Sequence, residues 1–261
     1  EDCVFIRSTL QRVKGRKLML QPIPKVFVSN KVESDGLFHI GPCDNAFGLG
    51  DFLSATPLAK KLGGKCVMHI PPESERYAFL FDGLCPVKTS DKFPVFQYTP
   101  GIHFARSKLN LFGFKDSPIE PEISISDYDV YQTKAEFGLK PNDICFCPTC
   151  ARSWESIRMR PEEFWTPIIS RIAKKFTVYQ TGDAEYPTIN PAIRLPFVSV
   201  KQLAAIYKAV GRYIGVNTGD SHLMVAVGGK VIDVIPNEEP VFSYKEWLYD
   251  SPRVKYVNFS K

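Results

Sequence analysis

The sequence predicts an α/β protein made of two Rossmann-like units with parallel strands. Three observations carry this. Short β-rich runs alternate with stretches of helical periodicity along most of the chain, the pattern left by strands joined through helices. A Gly-containing strand-to-helix turn occurs in each half, Gly48-Leu49-Gly50-Asp51 and Asn217-Thr218-Gly219-Asp220. Hydrophobic residues fill 44% of 261 positions, enough for one large core or two modest ones.

Phe38 to Cys43 reads as the first strand, leading into the turn Asn45-Ala46-Phe47-Gly48-Leu49-Gly50-Asp51. Phe52, Ala55, Ala59 and Leu62 then recur at helical spacing until Gly63-Gly64. Pro57 lies inside this pattern. A cap at Thr56 places it at the favoured first helical position of a very short helix. The reading preferred is a longer helix that bends at Pro57, where the ring costs about 3 kcal/mol. Lys65 to Ile70 is the next strand, closed by Pro71-Pro72. Lys92 to Tyr128 is rich in Pro, Phe and Ser with weak periodicity, and reads as loops and irregular strands. Asp129 to Phe137 is helical, and Gly138-Leu139-Lys140-Pro141-Asn142 is the best linker. It divides the chain into units 1–140 and 141–261.

In the second unit Asp143 to Cys147 is a strand. Pro161 opens a helix, with Glu162 and Glu163 facing its positive end and Trp165, Ile168, Ile169, Ile172 and Phe176 as the apolar stripe. Phe176 to Gln180 is a strand ending in Thr181-Gly182-Asp183. Val200, Leu203, Ala204 and Tyr207 mark a helix stopped by Gly211. Arg212 to Val216 (strand), Ser221 to Val227 (helix) and Lys230 to Ile235 (strand) complete the order.

No run of about 18 apolar residues exists, so no membrane-spanning helix is expected. No amphipathic membrane-docking helix stands out either. Seven cysteines at irregular spacing read as reduced thiols of a cytoplasmic protein rather than a disulfide framework. The chain begins at Glu1, which reads as a processed protein. The net charge of +5 suits an anionic ligand or acceptor. The N-terminal cluster Arg7, Arg12, Lys14, Arg16 and Lys17 is a solvated face or a phosphate contact. Phe93, Phe96, Tyr98, Phe104, Phe112 and Phe114, interleaved with Lys92, Arg106, Lys108 and Lys115, could stack on an unpaired nucleic-acid strand. They could equally be anchors that pin a loop down.

The second turn is the sharpest chemical signal. A helix N-terminus presents unpaired amides and partial positive charge, and Gly219 admits a close-lying phosphate. Thr218, Ser221 and His222 can add side-chain donors. The alternative is a capped helix, with Asn217 or Asp220 as the cap. Asp220 opposes the anion reading by its own charge. Asp51, in the first turn, is either a helix cap or a functional carboxylate. Neither turn is a G-x-G-x-x-G dinucleotide fingerprint.

These two segments carry a family resemblance. Gly50-Asp51-Phe52-Leu53-Ser54-Ala55-Thr56-Pro57-Leu58 resembles the segment "GD-x-L-x-x-TP-L" of heptosyltransferase-like glycosyltransferases, glycosyltransferase family 9. Ile214-Gly215-Val216-Asn217-Thr218-Gly219-Asp220-Ser221-His222-Leu223 resembles their second signature, "IG-x-DTG-x-x-HL". Between them, Cys147-Pro148-Thr149 through Arg158-Met159-Arg160-Pro161 looks like their "K-R-W-P" stretch. The resemblance spans roughly residues 38 to 240.

It implies a GT-B fold, with an acceptor-side and a nucleotide-sugar-side Rossmann-like domain facing across a cleft. It implies Asp51 as general base, with Gly48 and Gly50 in the acceptor-side loop. It implies a donor site at Asn217, Thr218, Gly219, Asp220, Ser221 and His222, with Arg158 and Arg160 facing phosphate and Thr181, Gly182 and Glu185 near the nucleoside. The reaction implied is an inverting transfer from a nucleotide-diphosphate sugar to a hydroxyl, with no cofactor or metal required. The acceptor expected is anionic, either a lipopolysaccharide-type glycan or a hydroxymethylated base in phage or viral DNA. Family members run longer, which implies trimmed domains here. Asn217 stands where the family has Asp, and Met159 where it has Trp. The first departure keeps a second class open: a nucleotide- or sugar-phosphate-binding protein of the same fold without catalysis.

Cys147 and Cys150 form a C-x-x-C pair with no second pair at zinc-like spacing. Cys145 and Cys147 share one strand face, so buried core thiols are the simpler reading. His39, His69 and His103 read as lone packing or surface histidines.

Overall fold

The computed structural model describes residues 35–41, 48–90, 102–149, 160–236 and 249–259. Strands β1 (Phe38–Ile40), β2 (Cys66–Ile70) and β3 (Val87–Thr89) form a parallel sheet in the order β1-β2-β3. Strands β4 (Ile144–Cys147), β5 (Val178–Gln180), β6 (Ile193–Arg194), β7 (Arg212–Val216), β8 (Lys230–Pro236) and β9 (Val254–Phe259) form a second sheet. All its pairings are parallel and its order is β6-β5-β4-β7-β8-β9. Counted within that unit the order is 3-2-1-4-5-6, the Rossmann order. Chain direction across the sheet reverses between β4 and β7, where such sheets bind ligands.

Helix α1 (Leu49–Leu53) and helix α2 (Thr56–Leu62) replace the single bent helix expected from the sequence. The chain breaks at Ser54-Ala55. Ser54 donates its hydroxyl to the Asp51 carbonyl at 2.7 Å, and Thr56 donates to the Leu53 carbonyl at 2.9 Å. Pro57 thus sits in the first turn of α2, where a backbone N–H has no intrahelical acceptor and its absence loses no hydrogen bond. The Gly63 stop is as expected, at φ +59°.

Helix α3 (Phe104–Leu111) lies in the segment expected to be loops. Its stripe is hidden because Lys108 occupies a fully buried position beside Phe104, Ala105 and Leu109. Its N-cap is His103, whose Nδ1 accepts from the Ala105 amide at 3.1 Å. Helix α4 (Asp127–Phe137) is capped by Ser126 and ends at left-handed Gly138. Helix α5 (Glu162–Ile172) has Pro161 at its N-cap, helix α6 (Val200–Val210) ends at left-handed Gly211, and helix α7 (Gly219–Ala226) starts two residues before the expected Ser221.

The centre of the second sheet is buried on both faces, as parallel sheets are, while Ile193, Ile232 and Val257 towards its edges are exposed. One face carries Phe146, Ile214, Val216 and Val234 against Trp165 and Ile169 of α5. The other carries Cys145, Cys147, Tyr213 and Val231 against α6 and α7. That second core continues without a break into the first sheet, through Phe52, Leu58, Met68, Ile70 and Leu80. The buried Cys145 and Cys147 lie on the same face, as their spacing predicts. Among the described residues no helix is long and apolar enough to cross a membrane.

Phe104 is buried and Phe112 and Phe114 pack against the core, so this part of the aromatic-basic stretch anchors the chain. Arg106 donates to the Lys115 carbonyl. Arg7, Arg12, Lys14, Arg16, Lys17, Lys92, Phe93, Phe96 and Tyr98 lie outside the described residues.

Candidate active site

The two signature turns, far apart in sequence, meet in space. A Cβ placed on Gly219 at the start of α7 would lie 3.0 Å from Cβ of Leu49, the first residue of α1. A Cβ on Gly50 would lie 3.2 Å from Cδ2 of His222. Glycine at both positions is what lets the two helix starts approach. Asp51, next to Gly50, and His222 therefore stand on facing elements at the carboxyl ends of their sheets.

Asp51 is 3% exposed. Its Oδ2 accepts from the Gly48 amide at 2.9 Å, so the carboxylate closes the first turn of α1. The cap reading of this residue is thus realised, and the functional reading has to coexist with it. Ser54, whose hydroxyl is bound to the Asp51 carbonyl, also accepts from the buried Lys108 ammonium at 2.6 Å. A cation beneath α1 was not foreseen; the signal was a lysine in register with an apolar stripe.

On the facing side Thr218 caps α7. Its hydroxyl oxygen accepts from the Asp220 amide at 3.2 Å, and Ser221 donates to the Thr218 carbonyl at 2.9 Å. Ser221 is buried and committed to this cap. Neither of the expected caps, Asn217 or Asp220, holds the end of the helix. Asn217 instead donates from Nδ2 to Oδ2 of buried Asp233 at 2.8 Å. A carboxylate in β8 thus lies across from the position where the family signature has its Asp. The acid inside the apolar run Val231–Ile235 was the available signal.

The charge of Asp220 is directed away from the helix start. Its Oδ2 accepts from Thr181 at 3.0 Å and from the Tyr207 hydroxyl at 2.8 Å. Burial first, and then Asp220, push the Tyr207 hydroxyl and the Cys147 thiol well up. Cys145 is raised in the same way. Both thiols stay protonated, which makes them poor nucleophiles and ligands. Cys150 lies outside the described residues, and no cluster able to hold a metal occurs among the described ones.

Gly182 follows β5 at φ +92°, where a Cβ would meet Cys147 Sγ and Thr149 Oγ1 at 2.7 Å. Thr149 Oγ1 accepts from the Asp183 amide at 3.1 Å. Arg194 clamps the loop, donating from Nη1 to the Asp183 carbonyl at 3.0 Å and from Nη2 to the Tyr186 carbonyl. Glu185 is exposed on this loop, its amide bound to Asp183 Oδ1 at 2.9 Å. Arg160 is buried just before α5, its carbonyl accepting from the Tyr186 hydroxyl at 2.7 Å. Thr181, Gly182 and Glu185 thus stand on one loop beside β4, while Arg158 lies outside the described residues.

The histidines are not lone. His39 Nε2 lies 2.9 Å from Asp35 Oδ2, and His39 Nδ1 lies 3.0 Å from His69 Nε2. His69 is buried and held down to about 4, by burial first and then by His39 and Lys88. His103 is held down to about 3 by burial, Lys108 and Arg106.

Parallel sheets, a Rossmann strand order and two facing strand-to-helix turns define an α/β protein of the GT-B class. No protein-family model and no curated protein matches the chain. Solved structures do. The E. coli ADP-heptose lipopolysaccharide heptosyltransferase II is 14% identical, with 85% of this chain and 89% of that chain covered at a TM-score of 0.53. The E. coli heptosyltransferase WaaC with ADP is 14% identical, covered over 84% and 89%, at 0.52. The iron-containing dodecameric glycosyltransferase TibC from enterotoxigenic E. coli is 13% identical, covered over 82% and 60%, at 0.54. The chain has the GT-B fold of these heptosyltransferases.

Proposed function

We infer that this protein is a glycosyltransferase that moves a sugar from a nucleotide-diphosphate donor to a hydroxyl acceptor. The observation that carries the reading is the junction of α1 and α7, which brings Asp51 and His222 to facing turns at the ends of two parallel sheets. ADP-heptose, named for one structural neighbour, is the first donor to test. Residues 1–140 form the acceptor side and 141–261 the donor side.

In this reading Asp51 takes the proton of the acceptor hydroxyl. The oxygen attacks the anomeric carbon as the bond to the diphosphate breaks, and the configuration inverts. The α7 N-terminus, Thr218 and His222 stabilise the charge of the leaving diphosphate. Arg158 and Arg160 act on the same phosphates, and Thr181, Gly182 and Glu185 line the nucleoside. The acceptor is anionic, a glycolipid core or a modified DNA base.

The test is a mass-spectrometric screen of nucleotide sugars against bacterial glycolipid core and hydroxymethylated DNA. Asp51→Asn keeps an oxygen to accept from the Gly48 amide but cannot take a proton. It should abolish transfer and leave donor binding and melting temperature nearly unchanged. Full activity in this variant would remove Asp51 from the mechanism. A DNA acceptor further requires binding that weakens steeply with salt.

The capping bond of Asp51 favours one second reading, a nucleotide- or sugar-phosphate-binding protein without transfer. Donor binding with neither transfer nor donor hydrolysis would establish it.

A further inference from the structure

Tyr249 lies 27 residues beyond His222 and belongs to neither signature turn. Its hydroxyl lies 2.8 Å from Nδ1 of His222, and the two rings meet edge-on with centroids 5.3 Å apart. Tyr249 also packs against His103, the α3 cap, with ring centroids 4.9 Å apart. All three rings are buried. The Tyr249 backbone is fixed independently: its amide donates to the Tyr256 hydroxyl oxygen at 2.7 Å, and that hydroxyl donates to the Tyr249 carbonyl at 3.2 Å. The phenol is therefore held on the histidine by main-chain bonds that do not involve it.

A buried phenol has one proton to donate, and a neutral imidazole has one nitrogen that accepts. Burial keeps the Tyr249 hydroxyl protonated far above neutral pH. A phenol O–H is a stronger donor than a neutral imidazole N–H, and an imidazole nitrogen a stronger acceptor than a phenol oxygen, so the favoured direction at this 2.8 Å contact is from phenol to Nδ1, which leaves the ring proton of His222 on Nε2. The ring edge carrying Cδ2 faces Gly50, and Nε2 is the adjoining atom.

We propose that Tyr249 is a positioning residue that locks His222 as the Nε2–H tautomer, turning its one donor toward the junction of α1 and α7. The function of that donor rests on reading the junction as the donor-diphosphate site. Partners that orient a histidine through its second nitrogen act in this way on metal ligands and catalytic bases. Here the ligand is a phosphate oxygen.

The test uses the full chain labelled with 15N, with Nδ1 and Nε2 identified by their two- and three-bond proton couplings and His222 assigned by its loss in His222→Gln. The wild type should show the Nε2–H pattern. Tyr249→Phe keeps the ring and the backbone bonds, and should shift His222 toward the Nδ1–H form. An Nδ1–H pattern in the wild type, or an unchanged tautomer in Tyr249→Phe, overturns the proposal. Calorimetric titration with ADP separates the two layers. About tenfold weaker binding by Tyr249→Phe, the effect of one hydrogen bond, supports positioning toward phosphate. Equal binding refutes it. A wild type that binds none of ADP, UDP, CDP or GDP defeats the donor reading, and the spectra alone then decide the tautomer.

Discussion

Asn217→Asp installs the aspartate that the heptosyltransferase-type signature has at the matching position, yet it should damage this protein. The amide donates to Asp233 Oδ2 at 2.8 Å, with both side chains buried. Replacement sets two carboxylates face to face. At about 3.5 Å and an effective dielectric near 20, their repulsion is about 5 kcal/mol. The pair can escape by binding a proton, which for an acid ionising near 4 costs about 5 kcal/mol at pH 8 but only about 1.5 kcal/mol at pH 5. The folded variant thus binds a proton that the unfolded chain has released, so its stability falls as pH rises. Relative to wild type, the loss should be about 5 kcal/mol at pH 8, a melting point lower by about 10–20 °C, shrinking to about 1.5 kcal/mol at pH 5. Urea unfolding of both proteins at the two pH values reads this directly. The exchange Asn217→Asp with Asp233→Asn rebuilds the amide–carboxylate bond in reverse and should recover most of the loss. A single variant as stable as wild type at pH 8, or a loss that does not vary with pH, would refute the reasoning.

Three further outcomes are expected. Gly215→Ala puts a Cβ 2.2 Å from the Cys147 carbonyl oxygen, between paired strands that cannot part, and should cost at least about 3 kcal/mol in denaturant unfolding. Asp51→Ala, unlike Asp51→Asn, removes the oxygen that accepts from the Gly48 amide and should lower stability by about 1 kcal/mol besides abolishing transfer. His69 and His103 are held neutral at about 4 and about 3, below the free value near 6.5. Their stabilising effect is present above pH 6.5 and lost as pH falls toward 4, at up to about 1.4 kcal/mol per pH unit for each residue. His69→Gln should reduce that slope by one proton in urea unfolding between pH 4.5 and 6.5.

The parts of the fold legible in the sequence are those with regular periods and strong stops. Gly138 ends α4 and Gly211 ends α6, and β7 matches its apolar run residue for residue, whereas the Ser126 cap of α4 lies in the stretch read as loops, three residues before the Asp129 start that periodicity gives the helix. Helix α3 was illegible because a buried lysine breaks the pattern that periodicity detects. Strand β6 has two residues, too few for any period, and β9 places exposed Val257 among its apolar positions. The two turns were legible because each needs glycine and a polar cap at fixed offsets. What they touch was not. Asp233 and Lys108 show in the sequence only as charged residues set inside apolar patterns, and Tyr249 and Tyr207 reach the site from segments whose local sequence does not mark them.

The core that runs unbroken from Met68 to Tyr213 also bears on how the molecule comes apart. Two Rossmann-like units on a loose tether would melt in two steps, each with its own slope in denaturant. Here, among the described residues, Ile70, Phe52 and Leu80 of the first half belong to one continuous apolar core with Cys145, Leu223 and Tyr207 of the second. Loss of either half uncovers the other. The described core should therefore unfold as one cooperative unit, with a single transition in denaturant.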